Sequence, residues 1–198
     1  MTLSTPAQLS PLILAMADIF DRLKLQHAFG GALANNYWGV VRATQDIDLL
    51  VLLPSLRFQE LATVLGDAGF TMRTVDDAPA PVDVPRMVEE VRDRRLFAVY
   101  RQGIKIEIFL PFLPLQNEIL RRAVKLPFEG RPISVTTAED LILLKMAFHR
   151  DKDLGDIRGI LAVQKGKLDL NYLRRWTPQM MNGIRAEELE VWIRDYGD

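Results

Sequence analysis

Residues 29–53 read Phe29-Gly30-Gly31-Ala32-Leu33-Ala34-Asn35-Asn36-Tyr37-Trp38-Gly39-Val40-Val41-Arg42-Ala43-Thr44-Gln45-Asp46-Ile47-Asp48-Leu49-Leu50-Val51-Leu52-Leu53. The stretch ends in an aliphatic run, Leu49 to Leu53, closed by Pro54. Such a run predicts a strand buried on both faces. Side chains alternate along a strand, so Asp46 and Asp48 at its mouth point to the same side. At a rise of roughly 3.4 Å per residue their Cα atoms lie about 7 Å apart. Two carboxylates at that spacing reach one divalent cation, or a pair of cations about 4 Å apart. Like charges side by side are unfavourable unless something positive sits between them. The dyad therefore predicts a metal, magnesium first and manganese as the alternative, held by carboxylates together with substrate phosphates.

The other half of the stretch supplies an anion site. Ala28-Phe29 closes a short apolar piece, Gly30-Gly31 follows, and Ala32 to Trp38 is helix-like. A strand, a tight glycine turn and a helix N-terminus together aim backbone amides and a favourable dipole at negative charge. Glycine lets the backbone approach a phosphate closely. Alone, Gly-Gly reads first as a plain turn before a short helix, and Asp-x-Asp is a weak signal that also fits a solvated strand end. Their combination in one stretch carries the reading.

Gly30-Gly31, a short helix and then Arg42-x-Thr44-x-Asp46-Ile47-Asp48-Leu49 resemble the signature of the nucleotidyltransferase superfamily, of the DNA polymerase β type. The pattern is most similar to the branch holding the AbiEii-type toxins and related small bacterial nucleotidyltransferases. The resemblance implies an α+β fold: a mixed twisted sheet flanked by helices, with a helical C-terminal part. It implies a core over residues 1–135 and a helical subdomain over 136–198. It also implies that Gly30 and Gly31 hold a nucleoside triphosphate, that Asp46 and Asp48 bind magnesium, and that a third carboxylate comes from a later strand.

Composition limits the function classes. The chain has 198 residues, 48% hydrophobic and 26% charged, an ordinary globular balance. Its 25 basic and 26 acidic residues nearly cancel, so no global field draws nucleic acid. With no cysteine there is no disulfide framework, thiol nucleophile or cysteine zinc site. The N-terminus lacks a basic region ahead of its apolar stretch, and no segment reaches about 18 apolar residues. The expectation is a cytoplasmic protein with no membrane partner.

Along the chain, residues 6–25 read as an amphipathic helix with Leu12, Ile13, Met16, Ile19, Phe20 and Leu23 on one face. His27 opens the first strand and is read as structural. Pro54-Ser55 begins a helix to about Ala68, which Gly69 ends. Phe70 to Val75 suggests a short strand. Asp76 to Pro85, with three prolines, suggests a loop, and Arg86 to Val91 a short helix. Residues 96–100 and 104–110, separated by Arg101-Gln102-Gly103, form a hairpin signal. Residues 113–125 read as a helix, and 128–135 as an extended segment turning at Gly130. Helical segments over 156–165, 169–176 and 186–196 complete the chain.

Within the hairpin, Ile104, Ile106 and Ile108 face one way, and Lys105, Glu107 and Phe109 the other. Glu107 is either a solvent-facing charge or, as the resemblance implies, the third carboxylate, acting as metal ligand or as general base on an acceptor hydroxyl. Asp83, in the proline loop, is a weaker candidate.

Thr136-Thr137-Ala138-Glu139 reads as a capping box. The helix it opens is apolar on nearly every side, with Lys145 alone in that field. Lys145 either snorkels to the surface or points into a cleft. The resemblance, here to a motif like Glu-Asp-Leu-Ile-x-x-Lys followed by Arg-x-Lys-Asp-x-x-Asp, places it on the triphosphate. On either reading Lys145→Met leaves the free protein about as stable as before, or more so. Asp153 and Asp156, three apart at the next helix start, either favour the dipole or lie near the site.

The expected activity is transfer of a nucleoside monophosphate from a triphosphate to an acceptor hydroxyl. The site residues are Asp46, Asp48 and Glu107 for metal and catalysis, and Gly30, Gly31, Arg42, Thr44, Lys145 and Asp153 for the nucleotide. The residues leave the acceptor open among the 3′ end of a tRNA, a hydroxyl on a partner protein and a small molecule; the toxin-like branch implies RNA or protein, and a cognate antitoxin or toxin as partner. The alternative is a non-catalytic nucleotide-binding or partner-binding protein on the same scaffold.

Overall fold

The computed structural model describes residues 6–197. Residues 1–5 and 198, which the expected domain limits and the reading of the N-terminus include, lie outside the described residues. The contacts divide the chain into two compact units. One holds the described residues up to Gly30 together with Ala43–Val135. The other holds Gly31–Arg42 together with the residues from Thr136 onward.

The first unit is built on a six-stranded mixed sheet. Its strands are β1 (His27–Phe29), β2 (Asp46–Val51), β5 (Leu96–Arg101), β6 (Ile104–Phe109), β7 (Val124–Phe128) and β8 (Arg131–Val135), in the order β5-β6-β2-β1-β8-β7. β2 runs parallel to β6 and β1 parallel to β8, and the other neighbours are antiparallel. One sheet face is apolar: aliphatic Ile47, Leu49, Val51, Ile104, Ile106, Ile108 and Val99 and aromatic Phe97 are all buried. Burial of this face is the main favourable contribution to the unit's stability.

The helices α1 (Pro6–Arg22), α3 (Phe58–Asp67), α4 (Val84–Arg94) and α5 (Pro114–Arg122) belong to the same unit. The expected face of α1 is buried, but the helix stops at Arg22 instead of residue 25, since Lys24 takes a left-handed φ of 52°. Gly69, at φ 77°, follows the end of α3, a conformation that favours glycine.

Three local expectations are corrected. Of the segment 70–75, only β3 (Met72–Arg73) is a strand, paired with β4 (Pro79–Ala80), and Thr71 bridges Tyr100, so the proline segment contains a strand. Asp83 is a helix cap and not a site carboxylate: its Oδ2 accepts from the Arg86 amide at 3.1 Å. The helix it opens is longer than 86–91, because Pro85 fits a first turn. Finally, the helix expected to reach Lys125 ends at Arg122, and Val124–Phe128 is a strand. It turns into β8 through Glu129 (φ 48°) and Gly130 (φ 82°).

His27 is buried with Nδ1 3.0 Å from the Leu25 carbonyl oxygen. Burial pushes its pKa below the usual range, outweighing the Leu25 bond and the nearby Asp21 charge. It stays neutral in the fold, the structural role expected.

The second unit comprises α2 (Gly31–Trp38), α6 (Ala138–Phe148), α7 (Asp151–Val163), α8 (Leu170–Met180) and α9 (Gly183–Trp192). Residues 31–42 join this unit because α2 is tied to it by hydrogen bonds. Trp38 Nε1 donates to the Thr136 carbonyl at 2.7 Å, and Gln164 Nε2 donates to the Trp38 carbonyl at 2.9 Å. Gly39 follows α2 where a Cβ would lie 2.9 Å from Ile160 Cγ1, so only glycine fits against α7 without a shift.

The cap of α6 sits one residue later than expected. Thr137 Oγ1 accepts from the Asp140 amide and donates to Asp140 Oδ2, while Glu139 accepts from the Asp169 amide. α7 starts at Asp151, five residues before the expected 156, because Asp153 accepts from the Arg150 amide and closes the first turn. Among the described residues no helix is long and apolar enough to cross a membrane.

Candidate active site

In the first unit the register of β2 against β6 builds the site. Asp46 lies opposite Lys105, and Asp48 opposite Glu107. Alternation puts all four side chains on the face opposite the aliphatic core. Three carboxylates and one ammonium thus occupy neighbouring positions on two adjacent strands. Asp46 is exposed, and Asp48, Lys105 and Glu107 are half-buried.

The mouth of β2 is braced at its backbone. Thr44 Oγ1 donates to the Asp46 carbonyl at 3.0 Å and accepts from the Asp46 amide at 3.3 Å. Thr44 therefore shapes the approach to the dyad. The Gly30 amide donates to the Asp48 carbonyl at 2.9 Å, tying the glycine pair to the dyad strand. Around Gly30 a Cβ would meet nothing within 4 Å, so the space beside its backbone is open. Gly31 takes φ 53° and is the first residue of α2. The sharp turn needs glycine at Gly31, and Gly30 contributes the open approach.

Glu107 is held by cations. Lys105 Nζ donates to its Oε1 at 2.5 Å, and Arg94 Nη2 lies 3.9 Å from the same oxygen. Partial burial alone would lower the Lys105 pKa; the hydrogen bond it donates to Glu107 and the Glu107 and Asp46 charges raise it instead. The donors on this face are carboxylate oxygens, which suit a hard divalent cation such as magnesium or manganese. Asp46 and Asp48, side by side on β2, are carboxylates of the kind that use needs. Glu107 reaches it only by leaving Lys105, and among the described residues no three His, Cys, Asp or Glu side chains converge into a ready metal cage.

In the second unit three of the expected nucleotide residues, Arg42, Lys145 and Asp153, join Asp156 in an ion network whose Lys145, Asp153 and Asp156 are buried. Lys145 is 4% exposed and does not snorkel. Its Nζ lies 2.7 Å from Asp156 Oδ2 and 3.5 Å from Asp153 Oδ1. Asp156 also receives Arg42 as a fork, with Nε at 2.9 Å from Oδ1 and Nη2 at 2.9 Å from Oδ2. Arg150 Nε donates to Asp153 Oδ2 at 2.7 Å. The Arg42 backbone is pinned by reciprocal bonds with Asn36: its amide donates to Asn36 Oδ1 at 2.9 Å, and Asn36 Nδ2 donates to its carbonyl at 3.1 Å.

Burial pushes the Asp153 and Asp156 pKa values up. The hydrogen bonds and charges of Arg150 and Lys145 at Asp153, and of Arg42 and Lys145 at Asp156, more than reverse this and hold both carboxyls low. Both therefore stay ionised. Arg42, with a side chain 34% exposed, is more open to a ligand than Lys145. The sequence marked Arg150 only as the first residue of a motif, with no role, and did not single out Asn36 or the pairing of Lys105 with Glu107. Its only pointer to the last was that the two share a strand face.

No protein-family profile matches the sequence, and no curated protein sequence matches it. Solved structures do resemble the fold. An antigenic nucleotidyltransferase-like protein from Paracoccidioides brasiliensis superposes with a TM-score of 0.58 at 16% identity, over 96% of this chain and 94% of that one. ANT(2″)-Ia in complex with adenylyl-2″-tobramycin gives 0.52 at 17% identity, over 95% of this chain and 96% of that one. The lincosamide antibiotic adenylyltransferase LnuA, lincomycin-bound, gives 0.52 at 13% identity, over 82% of this chain and 99% of that one. At these identities the likeness is one of fold, and the fold is that of the nucleotidyltransferases, the superfamily that the stretch from Gly30 to Asp48 resembles.

Proposed function

We propose that the protein is a divalent-cation-dependent nucleotidyltransferase of the EC 2.7.7 type, moving a nucleoside monophosphate from a triphosphate to an acceptor hydroxyl. The observation that carries this reading is the β2–β6 register, which sets Asp46, Asp48 and Glu107 on adjacent positions of one sheet face, with the Gly30 amide bonded to the dyad strand. Asp46 and Asp48 would hold magnesium, and Glu107 is the third carboxylate. Bound there, the metal supplies charge neutralisation on the phosphates and in the transition state.

The remaining work is orientation and electrostatics. The amide at Gly31, the first residue of α2, would donate to phosphate oxygens; Gly30, whose own amide is spent on the Asp48 carbonyl and not on phosphate as expected, leaves the approach open. Arg42, locked by Asp156 and Asn36, presents a fixed guanidinium for phosphate charge. Lys145 and Asp153 act behind it by holding Asp156 and the first turn of α7. Thr44 shapes the mouth of β2. The acceptor hydroxyl oxygen attacks the α-phosphorus and its proton passes to water, the α–β bridging bond breaks, and pyrophosphate leaves.

The acceptor is proposed to be a small hydroxylated molecule. Two solved structures of this fold carry adenylyl-2″-tobramycin and lincomycin, and the formal charge of −1 offers no basic field for RNA. RNA, protein, and a cognate toxin or antitoxin are the competing acceptors and partners to be assayed beside it.

Triphosphate binding is expected only with a divalent ion, because the carboxylate face repels phosphate without one. Calorimetry with ATP, GTP, CTP and UTP, each with magnesium and with chelator, checks this. Equal affinity for any triphosphate in chelator rejects the role of the carboxylates. Binding without turnover on any acceptor class favours the non-catalytic alternative.

A further inference from the structure

The carboxylate face contains a cation of its own, Lys105. It stands opposite Asp46 in the strand register, and its ammonium is 2.5 Å from Glu107 Oε1. Lys105 and Glu107 are two apart on one strand, so their backbones are about 7 Å apart along the same face. The lysine stem must fold along the strand to make this bond. The pair is shielded: the side chains of Lys105 and Glu107 are 30% and 18% exposed. Arg94, 3.9 Å away and 54% exposed, adds a looser second cation.

We infer that Lys105 is a resident counter-cation that competes with the divalent metal for Glu107 and, once displaced, pairs with the triphosphate, so that metal and nucleotide bind together better than either binds alone. This rests on the proposed function. The physical reason is charge balance. Without ligands, Asp46, Asp48 and Glu107 repel one another, and Lys105 offsets that repulsion through Glu107 and its proximity to Asp46. A metal that recruits Glu107 frees the ammonium beside a dication, where it is unfavourable unless an anion follows. The triphosphate is that anion, and Lys105 on the face of the dyad is positioned for it as a compact, mobile point charge. A chain with metal but no nucleotide is therefore disfavoured, which limits idle metal occupancy.

The test is manganese binding, followed by electron paramagnetic resonance, to wild type, Lys105→Met and Lys105→Gln, each alone and with a non-hydrolysable α,β-methylene triphosphate. Circular dichroism confirms that each variant is folded, and the two replacements of different polarity guard against a single misfolding variant. Without nucleotide, both variants should bind manganese roughly five- to tenfold more tightly than wild type, the scale of losing one partly shielded ion pair. The tightening of manganese by the triphosphate, large in wild type, should shrink by a similar factor. Unchanged or weaker manganese binding in both variants overturns the role of Lys105 while leaving the metal site standing. No manganese binding by wild type or variant, with or without triphosphate, rejects the metal reading of the face itself, and the inference with it.

Discussion

Lys145→Met should lower the unfolding free energy by about 3 kcal/mol, the lower end of the range for removing one partner of a buried ion pair. The helix around Lys145 suggested the opposite from sequence, since a lone ammonium in an apolar field costs stability. The structure supplies the compensation: Nζ lies between Asp156 and Asp153, both buried and both held ionised. Removing the ammonium leaves each aspartate with one cation, Arg42 on Asp156 and Arg150 on Asp153. Those remaining bonds keep the cost at the low end. Urea unfolding monitored by circular dichroism checks the value, with an unchanged slope showing that the unfolded state is not the cause. Lys145→Met combined with Asp156→Asn should cost less than the two single changes added together, because each removes the other's lost partner. An unchanged midpoint in Lys145→Met would mean that the network contributes nothing to the fold.

Asp48→Asn should reduce transfer by about a thousandfold or more while the chain stays folded. A metal ligand in such chemistry is worth several kcal/mol of transition-state stabilisation, and each 1.4 kcal/mol or so is tenfold in rate. The side chain is half-buried at the open mouth of β2, and asparagine keeps its shape, so the sheet loses little. Asp46, two residues away on the same face, is relieved of a like charge. Parallel measurement of turnover and melting temperature separates the two roles. A variant that melts many degrees lower would show that Asp48 is structural. Turnover within a few-fold of wild type would remove it from the chemistry.

The two signals of residues 29–53 were legible because they are local. The aliphatic run marks β2 and the glycine pair the turn into α2, so strand, turn and helix are found there, although β2 ends at Val51, two residues short of the expected Leu53, and Leu52 is exposed. The alternation of residues 104–109 likewise placed Glu107 on the correct face. What stayed hidden depends on tertiary pairing. β7, whose first two residues the expected helix over 113–125 includes, depends on its pairing with β8. It lies at the edge of the sheet, beside β8 alone, where a proline without an amide is tolerated. Asp153 and Asp156 were visible as acids three apart. That they point at Lys145 depends on how α6 and α7 pack, which spacing along one helix does not encode. The assignment of 31–42 to the helical unit is hidden for the same reason: it rests on bonds from Trp38 and Gln164, distant in sequence. The competition of Lys105 for Glu107 follows from rotamers as well as register, and a strand pattern specifies only the face.

The central claim is that a nucleoside monophosphate is the group moved. The most direct measurement incubates the protein with magnesium and each triphosphate labelled either at the α- or at the γ-phosphate, in the presence of small-molecule, RNA and protein fractions. Label from the α-position should appear on one acceptor class, and label from the γ-position only in released pyrophosphate, both abolished by chelator and by Asp48→Asn. Label from the γ-position on an acceptor, or free inorganic phosphate with no transfer of α-label, would contradict the account.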